Sequence, residues 1–235
     1  MEQLKQILSI SPELRNRVLS ASLLAPIVLF ILWYGGLLYQ AMVLVAAIII
    51  SFEWYGIISS PLADEQLSPE SKKRWVIAGG VYAFMFAFPL LYLRSLDVGF
   101  GVILLLLFFV WSTDIAAYFT GRAIGGPKIL PKVSPKKTWS GLFGGMVASG
   151  LVGAASAVFL TEFHIIILIA GGMLLAVVAQ IGDFFESWVK RRFGVKDSSH
   201  LIPGHGGLMD RVDGIVTAAP LMAIIAVVKL SGWGL

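Results

Sequence analysis

Long apolar runs alternate with short polar stretches along the whole chain. Runs long enough to cross a hydrocarbon layer, about 20 residues with a range of about 17 to 25, fall near 18–34, 37–58, 75–93, 98–119, 140–160, 164–188 and 214–229. Backbone polar groups in lipid must find partners within their own segment, so runs of this length predict helices. The expected fold is therefore all-α, a polytopic membrane helical bundle of about seven transmembrane helices. It is read as one domain over 1–235, with its chemistry concentrated at about 111–214. Residues 1–17, with Lys5, Glu13, Arg15 and Arg17 among apolar positions, predict a short amphipathic segment at the membrane surface. The first apolar run lacks a small-residue cleavage site and reads as a retained span. Only Gly35 and Gly36 separate it from the second.

Composition agrees with the pattern. Of 235 residues, 57% are hydrophobic, and the mean hydropathy is +0.85, above what a soluble domain carries. No cysteine is present, so neither disulfide nor thiolate chemistry is available. The net charge of +4 would suggest nucleic acid in a soluble protein, but its distribution follows membrane topology instead. With the N-terminus cytoplasmic, 16 of the 18 Lys and Arg fall on inner segments, and only Arg94 and Lys229 lie outside. An odd number of spans follows. The expected location is the cell's inner, cytoplasmic membrane, with no nucleic-acid partner.

The most informative stretch runs from Gln180 to Asp213, Q-I-G-D-F-F-E-S-W-V-K-R-R-F-G-V-K-D-S-S-H-L-I-P-G-H-G-G-L-M-D-R-V-D. Asp183 and Glu186 are three apart on a helical pattern, so they share a face near the end of a lipid-length run where ionised groups are costly. Asp210 and Asp213 repeat that spacing before the next run. Between the pairs, Pro203-Gly204-His205-Gly206-Gly207 has the glycines that a phosphate-cradling turn requires. The reading assigns Asp183, Asp210 and Asp213 to a divalent cation. Lys190, Arg191, Lys196 and Arg211 then neutralise phosphates, and His205, Gly206 and Gly207 shape the phosphate loop. Hard oxygen ligands suit magnesium, alone or with a second cation.

Other polar positions are weighed against plainer roles. Asp114 interrupts an apolar run and reads as functional, with a buried pair as the alternative. The loop from Arg122 to Lys137 holds five cations, three prolines and no acids. Lys136 and Lys137, after a proline turn, can reach polyphosphate oxygens as point charges, although a plain positive-inside loop against anionic headgroups has the same charge. Glu53, followed by Trp54 and Tyr55, reads as a snorkelling interfacial glutamate, and His164 as an interfacial histidine. Gly141 and Gly145 form a G-x-x-x-G that predicts close helix packing. Together these features reach a magnesium-dependent phosphoryl or nucleotidyl transfer at a lipid headgroup.

The spacing S-x-V-K-R-x(4)-K-D-x-S-x(2)-I-P-x-H-G-G-L-x-D-R-V-D, from Ser187 to Asp213, resembles the signature of the phosphatidate cytidylyltransferases, the CDP-diacylglycerol synthases. W-S-T-D-I-A-A-Y-F-T-G-R at Trp111–Arg122 and S-P-K-K-T-W at Ser134–Trp139 resemble a second block of that family. The family often has an acid after this tryptophan, whereas this chain has Ser140, to which no role is given. The resemblance implies transfer of CMP from CTP to phosphatidic acid on the cytoplasmic side, in phospholipid biosynthesis. Among substrate-contacting residues it implies Asp114, Lys136, Lys137, Ser187, Arg191, Lys196, His205, Gly206 and Gly207. Membrane lipids are further partners, and a homodimer is compatible. Two readings compete. A CTP-dependent lipid-alcohol kinase would use similar chemistry without transferring the nucleotide, and an ion-coupled transporter would also place acids in spans. A transporter should show paired halves, and no internal repeat is visible.

Overall fold

The structure, a computed structural model, describes residues 12–161, 163–202 and 206–230. Eight helices and no strand occur among the described residues: α1 Pro12–Tyr34, α2 Gly36–Ile57, α3 Pro61–Gln66, α4 Pro69–Ser95, α5 Gly99–Ala123, α6 Trp139–Ser156, α7 Ile165–Arg192 and α8 Met209–Leu230. Five of them, α2, α4, α5, α7 and α8, are long and apolar enough to cross a membrane. The chain is thus a multi-pass, all-helical membrane protein. The counterparts of the runs at 18–34 and 140–160 fall short of that measure. The apolar part described in α1 is Ser22–Tyr34, and α6 has 18 residues diluted by glycine and serine. Residues 1–11 of the expected surface segment lie outside the described residues, and from Pro12 the backbone is helical.

Helix starts follow capping chemistry. The Ser60, Ser68 and Thr138 hydroxyls accept from the amides of Ala63, Ser71 and Gly141, and proline fills the first position of α3 and α4. His164 also has a structural job: its Nδ1 accepts from the Ile166 amide at 3.3 Å and caps α7. At the other end of α7, Lys190, Arg191 and Arg192 complement the helix dipole.

Glycines set the helix spacings that build the site. A Cβ at Gly141 would stand 2.8 Å from the Ala117 carbonyl, and one at Gly145 would stand 3.0 Å from the Thr113 carbonyl, so α6 packs tightly on α5 as the G-x-x-x-G predicts. A Cβ at Gly182 would meet the Asp213 carbonyl at 2.5 Å. The α7 and α8 backbones therefore touch where the acids lie, and Thr217 Oγ1 ties them further by donating to the Val178 carbonyl at 2.8 Å. Trp54, Trp75, Tyr82, Phe185, Trp188 and Phe193 interlock beside this junction. Large apolar side chains such as Phe52, Phe84, Phe108 and Leu151 are exposed on the outer surface, as lipid-facing positions are in a bilayer.

Candidate active site

Two acidic groups form at the charged ends of α7 and α8. In the first, Asp114 of α5, Asp183 of α7 and Asp213 of α8 lie within electrostatic range of one another and of Lys137. The α7–α8 contact at Gly182 brings Asp183 and Asp213 together, and α5 adds Asp114 within electrostatic range of both. Lys137 forms an ion pair with Asp183, and its ammonium stands 4.7 Å over the Phe184 ring. Its own loop aims it. Ile129 N donates to the Lys137 carbonyl at 3.2 Å, Trp139 N to the Pro127 carbonyl at 3.2 Å, and Ser140 Oγ to the Gly125 carbonyl at 2.5 Å. Ser140, left without a role in the sequence, thus closes the turn whose Gly125 and Gly126 have φ of 68° and 101°. Ser187 Oγ, one helical turn along, donates to Asp183 Oδ1 at 3.3 Å.

The second group is centred on Lys190 and Asp210. The Lys190 ammonium lies 2.8 Å from Glu186 Oε2 and 2.5 Å from Asp210 Oδ1. Asp210 Oδ2 accepts from Ser198 N at 3.0 Å, Ser198 Oγ at 3.0 Å and Gly207 N at 2.9 Å. Glu53 joins from α2. The residue is 6% exposed, and its carboxylate accepts four hydrogen bonds: Ser198 Oγ at 3.3 Å, Ser199 Oγ at 2.6 Å, Leu208 N at 2.8 Å and Met209 N at 2.7 Å. The last two amides lead into the N-terminus of α8, where a negative charge is favoured.

These placements refine the sequence reading. Glu53 does not snorkel; it is buried, and it fastens the loop between α7 and α8 because four donors converge on it from 145 or more residues away. An acid close to belt aromatics was the only signal in the sequence, and no local spacing could show the donors. The Gly207, Leu208 and Met209 amides donate to Asp210 and Glu53, so these loop amides serve carboxylates first. Asp210 and Lys190 bind each other, whereas Asp183 and Asp213 face Asp114 and Lys137. Arg191 Nη1 donates to the Val195 carbonyl at 3.1 Å. Arg191, Lys196, Arg211 and Lys136 are exposed, and Gly206 takes φ of 83° while its carbonyl accepts from Ile202 N at 2.8 Å. His205 lies outside the described residues.

The donor set fits magnesium in kind. Among the described residues no three His, Asp or Glu side chains close on one point as a complete metal cage, but magnesium is usually held by one or two carboxylates with waters and substrate phosphates completing the shell. Asp183 and Asp213, with Asp114 adjoining, offer such carboxylates. Gly207 is sterically fixed: a Cβ there would stand 2.5 Å from Glu53 Oε1 and closer still to Ser198 Oγ. Gly207→Ala is expected to lower activity at least tenfold and to reduce the melting temperature of the detergent-solubilised protein, since overpacking of this kind costs about 1–3 kcal/mol. Unchanged melting and turnover would show that the loop gives way freely.

Comparison with known proteins agrees with the motifs. Residues 66–228 match the model of the cytidylyltransferase family. A phosphatidate cytidylyltransferase of Brucella suis biovar 1 is 49% identical over 163 residues, which is 68% of this chain and 59% of that protein. Proteins of the same name from Rickettsia felis and Rickettsia bellii are 37% and 38% identical over 220 and 218 residues, covering 90% and 89% of this chain and 91% and 89% of theirs. The match thus spans about three fifths of the Brucella relative and nearly the whole of the Rickettsia ones. With the family model covering well over half of its length, and with both motif blocks in place, the chain belongs to the cytidylyltransferase family.

Proposed function

We propose that this protein transfers CMP from CTP to phosphatidic acid, giving CDP-diacylglycerol and pyrophosphate. One observation carries the reading: Lys137 of a cationic loop pairs with Asp183 of α7 at one end of the bundle, within electrostatic range of Asp114 of α5 and Asp213 of α8. Anionic lipid and anionic nucleotide both need positive charge at such a place. Seven passes, counting α1 and α6, with the N-terminus in the cytoplasm, put that end on the cytoplasmic face of the inner membrane. A diacyl lipid there keeps its tails between helices while its phosphate meets a soluble triphosphate.

Within the site, Lys137 is held by Asp183 and the Phe184 face at the level where polyphosphate oxygens would lie, and exposed Lys136, Arg191 and Lys196 add to the field. Asp183 and Asp213, with Asp114 beside them, would hold magnesium, which when bound supplies charge neutralisation at the phosphoryl oxygens. An oxygen of the lipid phosphate attacks the α-phosphorus in line; the bond from the α-phosphorus to the bridging oxygen breaks, and pyrophosphate leaves with that electron pair. The attacking group is already anionic, so no strong general base is needed. Glu53, Asp210 and Lys190 hold the loop and the first turn of α8 that present Asp213.

The decisive experiment gives the purified protein phosphatidate and CTP labelled at either the α- or the γ-phosphate, with magnesium or with chelator. Lipid-soluble label is expected from the α-labelled nucleotide only, and only with magnesium. Label entering lipid from the γ-position would instead show a kinase. Lys137→Ala is expected to raise the Michaelis constant for CTP about tenfold, as loss of one charge-assisted contact implies. An unchanged constant would leave this loop with headgroups alone.

A further inference from the structure

Beside the Lys137–Asp183 pair, between the 127–138 loop and α7, lies a groove of about 550 Å³ that runs along α7 from Val177 to Trp188. Leu130 and Val133 form part of its loop side, and Val177, Ile181 and Trp188 part of its helix side. Every residue lining it is apolar except Gln180. Gln180 is 5% exposed, and its Nε2 has no hydrogen-bond partner in the protein. A buried amide donor without an acceptor is costly and uncommon, so such a group in a groove wall points to an acceptor from outside the chain.

The position of Gln180 says which acceptor. It precedes Asp183 by three residues, which puts it on the same face of α7 and about 4.5 Å farther from the charged end, at about 1.5 Å per residue. A glycerolipid whose phosphate lies at Lys137 and Asp183 carries its ester carbonyls a few bonds farther in, followed by acyl chains that need an apolar bed. We infer that Gln180 donates a hydrogen bond to an acyl ester carbonyl of the lipid phosphate, with that acyl chain lying along the groove. Nε2 now stands against Gly145, where a Cβ would be 3.0 Å away; the terminal torsion of glutamine is broad, so the amide turns into the groove without moving α7. The inference rests on a lipid phosphate as acceptor substrate, and it adds that the protein distinguishes esters from ethers.

The test compares diacyl phosphatidate with its dialkyl ether analogue of equal chain length in mixed micelles, using CTP-dependent lipid labelling. The wild-type protein is expected to favour the ester in kcat/KM about fivefold, the value of one neutral hydrogen bond. In Gln180→Leu the ratio is expected to fall within about twofold of unity, and Gln180→Met, which keeps length and flexibility, carries the same comparison should the leucine variant not assemble. An ester preference retained in the variants, or absent from the wild type, overturns the inference while leaving nucleotidyl transfer intact. Wild-type protein that labels neither lipid would instead remove the acceptor reading, and this inference with it.

Discussion

Asp213→Asn is expected to reduce turnover by about a thousandfold while leaving thermal stability unchanged or higher. The two signs have one cause. Asp213 is buried and shares its surroundings with Asp183 and Asp114, so in the absence of a cation burial first and like-charge repulsion second disfavour its negative charge, and removing that charge relieves both. Asparagine keeps the side-chain oxygen that accepts from Gly214 N at 2.8 Å, so local geometry survives. What is lost is the negative charge that would hold magnesium against the transferring phosphate, a preorganised electrostatic contribution worth several kcal/mol. Initial rates with α-labelled CTP at saturating magnesium, beside melting curves in the same detergent, check both halves. Wild-type turnover would exclude Asp213 as a ligand, and a large drop in melting temperature would recast it as a structural acid.

Glu53 should give the other large effect, with the opposite signature. Truncation to alanine leaves four donors facing a cavity, at a cost on the order of 3–5 kcal/mol, enough to disorder the α7–α8 loop. Glu53→Gln is the more telling variant. An amide offers one oxygen where the carboxylate offered two, so the side that now meets Ser198 Oγ and Met209 N would present donors to donors. Activity is expected to fall ten- to a hundredfold, mainly in kcat, because the loop and α8 present Asp213. Steady-state kinetics on the glutamine variant, with hydrogen exchange over residues 196–209, separates this from general instability. Normal kcat with normal exchange would reduce Glu53 to a bystander.

The membrane architecture and the chemistry of the Gln180–Asp213 stretch were legible in the chain because both are local. Hydropathy runs give helices, and i, i+3 acids give shared faces. The groupings were not, because they depend on which helices touch. Asp183, Asp210 and Asp213 look equivalent as letters, yet the α7–α8 contact at Gly182 sets two of them beside Asp114, while Lys190 and Ser198 take the third. His164, read as interfacial, also caps a helix, a role that composition could not show because a cap depends on one backbone angle. Glu53 was hidden for the same reason as the grouping: its partners come from the far end of the chain.

That last connection bears on how the protein can be divided. The family match begins at residue 66, but Glu53 and Ser60 precede it, and Ser60 Oγ donates to the Phe193 carbonyl at 2.8 Å just past the end of α7. A fragment trimmed to the matched region would keep every signature letter and yet lack both upstream anchors of its own signature loop. The end of α2 and the start of α3 are therefore part of the brace of the signature loop, and grafts between relatives should move them together with the segment they hold.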